Sequence, residues 1–265
     1  IMDNICFSMF CCQLRWHDQS GFREIILYHY TETRAGGNAA DFLDGIEEGS
    51  YVMVEAYSGY KRLKKIRRCC CYTHIRRYLM ETIPKGHEKD YSHPAVQGVL
   101  YCNKLFEYER SYKEKGLSYA QVYKRRQKDA MPVVEGFMRW FDGQHPEKGS
   151  RMERAVTYIR NRNDTLMTYL EDGRCSLSNN PSENSLRPVT LGRKNWLFSD
   201  SPDGANASMV VYTIVEMAKA YGLHPYDYLK YLLDSRPGTD TTDAELKDLV
   251  PWSEKVRIEC IKKSE

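Results

Sequence analysis

The sequence predicts a mixed α/β fold with a long helical stretch and a C-terminal pair of helices. Three textures predict it. Residues 1–60 are strand-rich, residues 81–172 carry helical apolar spacing, and residues 205–233 hold two apolar helices parted by Gly222 and Pro225. Strand, helix and strand following one another at the start is the texture of a mixed sheet.

The first strand expected is REIILYHYT, residues 23–31, dense in β-branched and aromatic side chains. AADFLDGI, residues 39–46, is a short helix closed by Gly45 or Gly49. YVMVEAY, residues 51–57, opens on a continuous apolar run, which suits a strand buried on both faces. A basic block follows: Lys61, Arg62, Lys64, Lys65, Arg67, Arg68, Arg76 and Arg77 occur with no acid between them.

In the helical stretch, Val96, Val99, Leu100, Leu105 and Phe106 form one apolar face. Met152, Ala155, Val156, Ile159, Leu166, Met167 and Leu170 keep helical spacing, and DGQHPEKGS, residues 142–150, is a loop between helices. Arg125 and Arg126 are expected among the exposed charges, facing a partner or only water. A further helix begins at Asn180 with Pro181 at its first position and is limited by Pro188. Another runs from about Ala205 to a glycine stop at Gly222, and Pro225 starts a short one carrying Tyr228, Leu229, Leu232 and Leu233. Beyond Ser235 the tail is polar apart from LVPW, residues 249–252.

Composition narrows the class. The chain has 265 residues, 39 basic and 36 acidic, for a formal net charge of +3. An apolar fraction of 42 % excludes wholesale disorder. No stretch approaches the roughly 20 apolar residues that span a bilayer, and no secretory signal opens the chain, so no membrane partner is expected. The nine cysteines include Cys11-Cys12 and Cys69-Cys70-Cys71 and are odd in number, which points to reduced thiols and a cytoplasmic setting. The chain starts with Ile1, as a fragment or processed chain would. There is no phosphate-binding Walker loop, dinucleotide glycine pattern, nucleophile elbow or zinc-protease helix.

Two carboxylates stand out. Glu55 directly follows the apolar run 51–54, at a sheet edge where ligands collect; its plain alternative is a strand-end acid facing water. Glu183 lies in NNPSEN, in the first turn of a helix, where the dipole favours an acid with or without chemistry. Brought together, two such carboxylates hold divalent cations for phosphoryl transfer. GRKNWLF, residues 192–198, joins Arg193 and Lys194 to Trp196: either an anion-facing segment or a surface turn entering a strand. The basic block is either a nucleic-acid surface or a solvated helix face. Cys71 and His74 have ligand-like spacing, but His87 and His93 are too loosely placed to complete a zinc site.

Longer patterns carry a resemblance. NNPSENSLRPVTLGRKNWLF and the helices after it closely resemble the C-terminal part of insertion-sequence transposases of the "sixty-six" family, whose active site is of the Asp-Asp-Glu type. CYTHIRRYL, residues 71–79, is similar to that family's Cys-Trp-Ala-His-Ala-Arg-Arg-Lys-Phe stretch, VEAYSGYKRL, residues 54–63, to its Thr-Asp-Gly-Tyr-x-Gly-Tyr segment, and YHYTETR, residues 28–34, to the preceding strand. The resemblance implies a ribonuclease-H-like mixed sheet lacking its first strand here, and Mg2+- or Mn2+-dependent cleavage and strand transfer of DNA. It implies catalytic and metal-binding roles for Glu183 and for Glu55, which stands where the family has its second aspartate. It also implies DNA as partner, contacted by Arg67, Arg68, His74, Arg76, Arg77, Arg187, Arg193, Lys194, Asn195 and Trp196, with a homo-oligomer forming on the DNA. The domains expected are 1–60, the first part of the catalytic core; 61–172, the basic segment and helical insertion; 173–235, the rest of the core; and 236–265, a polar tail.

The family's first aspartate, in an Ala-Asp-Glu-Thr stretch, has no counterpart in these residues. The expectation is therefore a truncated, inactive copy of a transposase. The alternative is a non-catalytic DNA-binding protein derived from one, and a third reading is a protein stabilised by metal at Cys71 and His74.

Overall fold

The computed structural model describes residues 8–18, 21–33, 36–54, 65–196, 199 and 201–261. The chain divides into two compact units: Ala39–Asn180, and Ile1–Asn38 together with Pro181–Glu265.

The discontinuous unit is built on a hairpin. Strand β1 (Ser8–Asp18) pairs antiparallel with β2 (Gly21–Thr31), in a register running from Ser8↔Thr31 to Asp18↔Gly21. Strand β2 is the expected REIILYHYT strand. Its side chains alternate as a half-covered strand requires, with Ile26, Tyr28 and Tyr30 buried and Ile25, Leu27 and His29 half-buried. Helix α1 (Gly36–Phe42) follows, slightly earlier than expected, and positive φ at Gly45 and Gly49 turns the chain after it.

The C-terminal helices of this unit are α8 (Arg187–Trp196), α9 (Pro202–Ala220), α10 (Pro225–Ser235), α11 (Asp243–Leu249) and α12 (Glu254–Cys260). Helix α9 covers the free edge of β2. The Ile26 amide donates to Met217 Sδ at 3.1 Å and the Tyr28 amide to Thr213 Oγ1 at 3.0 Å, so two of the strand's outward donors are spent on the helix. Ile26, Tyr28, Tyr30, Val189, Ala205, Met209 and Met217 form the core beneath. Helix α9 stops where expected, at Gly222, whose φ of +69° suits a residue without Cβ. Helix α10 is also as expected. The polar tail, by contrast, folds into α11 and α12. Val256 and Cys260 of α12 bury against Ala218, Leu223 and Tyr228, and the Tyr228 hydroxyl donates to the Leu249 carbonyl at 2.9 Å.

The continuous unit holds strands β3 (Tyr51–Val54) and β4 (Arg67–Cys70), paired parallel with Tyr51↔Arg67 and Val54↔Cys70. Tyr51, Val52 and Met53 are half-buried, which corrects the expectation of a strand covered on both faces. Helix α2 (Tyr72–Met80) buries Tyr72, Ile75 and Leu79 along one stripe. It packs on α3 (Pro94–Glu114) and α6 (Arg151–Arg160). Between those lie α4 (Tyr119–Arg125), a π-helical turn (Arg126–Ala130) and α5 (Met131–Asp142). Of the apolar face expected on α3, Val96, Val99 and Leu105 are buried, but Leu100 is 44 % exposed. The periodicity of residues 152–170 ends earlier than expected. Helix α6 stops at Arg160, and 3-10 turns at Asn163–Thr165 and Thr168–Leu170 carry Leu166, Tyr169 and Leu170 into the core instead. The Thr165 hydroxyl donates to the Arg162 carbonyl at 2.8 Å and closes the first of these turns.

Arg126 corrects another expectation. It is 2 % exposed, and all five of its N–H donors are spent. Nε and Nη2 grip the two Glu109 oxygens at 2.8 and 2.7 Å, while Nη1 and Nη2 donate to the carbonyls of Tyr169, Asp172 and Cys175, each at 2.8 Å.

The described strands thus form two two-stranded pairs. With the helices they make a mixed α/β chain of high helical content. Among the described residues no helix is long and apolar enough to cross a membrane.

Candidate functional site

Strand β3 ends at Val54, and Glu55 lies outside the described residues, as do Lys61, Arg62 and Lys64 of the basic block. Of what remains of the block, Lys65 lies exposed in a turn and the arginines divide between strand and helix. Arg67 and Arg68 belong to β4, while Arg76 and Arg77 belong to α2. Their surroundings differ. Arg67 pairs with Glu171, whose hydrogen bond and charge raise the guanidinium pKa further, and the Tyr51 hydroxyl donates to the same carboxylate at 3.3 Å. Burial, then Glu171, pushes the Tyr51 phenol up to about 12. Arg68 pairs with Asp164 at 2.8 Å, and Arg76 Nε donates to Asn103 Oδ1 at 2.6 Å. Arg77 is exposed.

Between β4 and α2 sits Cys71. Burial alone would push its thiol up. Hydrogen bonds from the His74 side chain, the Asn179 amide and the His74 backbone outweigh burial and hold it below the ordinary thiol value. The Asn179 amide lies 3.2 Å from Sγ. Neighbouring thiols go the other way: burial pushes Cys70 and Cys102 up to about 12, and a hydrogen bond with Cys175 together with burial pushes Cys69 higher still. Cys69, Cys70, Cys71, Cys102, Cys175 and Cys260 are all free thiols, in line with the expectation of reduced cysteines. His74 is buried beside Cys71. Of the other two histidines weighed as zinc ligands, His93 Nδ1 caps α3 by accepting from the Ala95 amide at 3.2 Å, and His87 lies 3.8 Å from Asp90.

The chain leading to Glu183 is tied to this junction. The Tyr72 amide donates to the Leu177 carbonyl at 3.0 Å, and Thr73 Oγ1 donates to Ser178 Oγ at 2.8 Å. Helix α7 (Asn180–Ser185) then begins as expected, with Glu183 in its first turn. Glu183 is half-buried, and one of its carboxylate oxygens is shut off from solvent. Pro188 does not simply end this helix. It falls in the first turn of α8, where its missing N–H has no intrahelical acceptor to lose. Gly192, Arg193, Lys194, Asn195 and Trp196 are therefore helical, which corrects the alternative of a turn entering a strand; the side chains of the last four lie outside the described residues. Arg187, at the start of α8, is exposed.

Residues 169–175 rest on Arg126, which is buried, not among the exposed charges as expected from the sequence. Its partners lie 17 to 49 positions away, so no local pattern marks it.

Residues 13–207 match the model of the family described as "Transposase IS66 family". Among curated proteins, the chain is 26 % identical over 243 residues to uncharacterized protein y4hP of Sinorhizobium fredii, covering 85 % of this chain and 43 % of that one. It is also 26 % identical over 240 residues to uncharacterized protein y4qI of the same organism, covering 86 % of this chain and 43 % of the relative. The chain thus spans less than half the length of these relatives. No solved structure matches. The family match covers well over half of the residues and contains both the Cys71 junction and Glu183: the chain belongs to the IS66 transposase family.

Proposed function

We propose that the chain is part of the catalytic region of a DNA transposase that cleaves and joins DNA by metal-dependent phosphoryl transfer. Glu183 is its last metal-binding carboxylate, and Glu55 takes the place of the second aspartate. What supports this reading is the family match across residues 13–207, with Glu183 inside the Asn-Asn-x-x-Glu pattern. The donor chemistry fits. A half-buried carboxylate with one oxygen out of solvent offers the hard oxygen ligand that Mg2+ and Mn2+ take. Such a cation, when bound, supplies Lewis-acid activation of an attacking oxygen and stabilises the leaving one. The chain's own part is to hold the segment that leads to Glu183. Arg126 anchors residues 169–175, and residues 177–179 are bonded to the start of α2, so the segment running into α7 is held at several points.

These 265 residues contain no counterpart of the family's first aspartate, and Glu at 55 is longer than Asp by one methylene. A misplacement near 1 Å costs about 100-fold in rate. We therefore expect the chain to bind metal and DNA but not to cut DNA by itself. The test is Mn2+ binding followed by electron paramagnetic resonance, with the chain and its Glu183→Gln variant. The expected result is at least a tenfold loss of affinity in the variant; equal affinity would remove Glu183 from the metal centre.

The reading as a DNA-binding module without catalysis draws on the basic block. Arg67 and Arg68 are already neutralised by Glu171 and Asp164, which leaves Lys65 and Arg77 as its exposed cations without a carboxylate partner among the described residues.

A further inference from the structure

A cleft of about 440 Å³ opens between α2 and α6 in the continuous unit, lined by Tyr78, Glu81, Arg151 and Arg154. Its size falls in the range of small-molecule sites. Its walls are mostly apolar, and three of the four residues that line it carry a charge.

The arginines are the first clue. Arg67, Arg68, Arg126 and Arg174 of the same unit each pair with a carboxylate. Arg151 and Arg154 are exposed and have no such partner among the described residues; Arg151 Nη1 reaches only the Glu81 carbonyl, at 3.5 Å. Two exposed arginines one helical turn apart on α6 put positive charge at the cleft's rim, which a phosphate would neutralise.

Tyr78 is the second clue. One side of its ring stacks on Tyr158, with centroids 4.0 Å apart and planes 20° apart, and Arg162 sits 3.5 Å from the Tyr158 ring centroid. The ring is thus held in place before any ligand arrives, which lowers the ordering cost of stacking something else on it. Glu81, the C-cap of α2, adds an acceptor at the same cleft. A carboxylate opposes a run of phosphates but accepts well from an exocyclic amine of cytosine, adenine or guanine.

From this set we propose that the α2–α6 cleft is a subsite for one unpaired nucleotide of a DNA strand, with its phosphate on Arg151 and Arg154, its base against Tyr78 and its exocyclic amine on Glu81. The proposal rests on the reading of the chain as acting on DNA and adds a surface remote in sequence from Glu183. A duplex does not fit the same groups, because its bases are stacked and its amines paired. Stacking on an aromatic ring and phosphate contact with arginine are the two terms that hold single strands.

The test uses the 265-residue chain without divalent metal and 12-nucleotide single strands of cytosine or of thymine, read by fluorescence anisotropy across salt. Oligocytidine is expected to bind roughly fivefold more tightly than oligothymidine, which lacks the amine, and Glu81→Gln to shrink that ratio. Tyr78→Leu weakens both strands about tenfold, and Tyr78→Phe does not. Each of Arg151→Ala and Arg154→Ala, both at exposed positions, flattens the log–log salt slope by about 0.7, a change that loss of folding would not mimic. Full affinity and an unchanged salt slope in the Arg151→Ala/Arg154→Ala double variant, or equal binding by Tyr78→Leu, would overturn the subsite. Those failures leave the transposase reading standing, since that reading is tested by Mn2+ at Glu183. Conversely, loss of strand binding in the cleft variants beside Mn2+ binding indifferent to Glu183→Gln would uphold the cleft and sink the metal centre.

Discussion

At the scale of single residues, Arg126 is the strongest structural commitment in the continuous unit. Its guanidinium is removed from water, gripped by Glu109, and joined to three carbonyls of the 169–175 segment. Removing one partner of such a pair leaves the other charge and several acceptors unmet, which costs about 3–5 kcal/mol. Arg126→Met is therefore expected to lower unfolding free energy in urea by that amount, and a loss under 1 kcal/mol would show the cluster to be ornamental. The thiols give a pH signature. Cys70 and Cys102 titrate near 12 in the folded chain against 9 for a free thiol, so the native state retains protons that the unfolded chain releases. Their contribution is complete below pH 9 and is lost as pH rises from 9 toward 12. Cys71 is displaced downward, so its contribution is complete above pH 9 and does not offset that loss. The urea midpoint should fall between pH 9 and 11, more shallowly in Cys102→Ala; a flat profile would contradict the assigned burial. Glu183 could be singled out from the sequence because a long local pattern surrounds it. Arg126 could not, because its role exists only after distant segments meet.

At the scale of elements, those carrying their own punctuation were legible. Strand β2 has its β-branched run, α9 has Gly222 beyond its end, and α10 has Pro225 at its start. Strand β1 was passed over, although Phe10, Cys12, Leu14 and Trp16 alternate with Cys11, Gln13, Arg15 and His17, which is the period of a strand. The apolar spacing of residues 152–170 suggested one long helix because a helix and two 3-10 turns place their buried residues at similar intervals. The tail was hidden by composition. Helices α11 and α12 are polar, short and started by caps: Thr242 with Glu245 forms a capping box, and the Ser253 side chain accepts from the Val256 amide. They are held by a few buried side chains, of which Val256 is fully covered. Val256→Ala should cost about 2 kcal/mol and speed amide exchange in α12 selectively. Exchange in α12 already as fast as in an unfolded chain would show that the tail does not dock.

At the scale of the whole molecule, the sequence carried the family more clearly than the architecture. Patterns at residues 28–34, 54–63, 71–79 and 179–198 are spread along the stretch matched by the family, residues 13–207. Sheet topology was less legible, because strand pairing depends on which segments meet and not on any one of them. β1 pairs with β2, and the parallel partner of β3 is β4, a strand beginning in the basic block that was weighed only as a helix face or DNA surface. The proposed function turns on divalent-cation binding by Glu183, with Glu55 in the place of the second aspartate. Mn2+ affinity of the chain and of its Glu55→Gln and Glu183→Gln variants, followed by titration calorimetry, tests it most directly. At least a tenfold loss of Mn2+ affinity is expected in each variant. Affinity untouched by either change would contradict it.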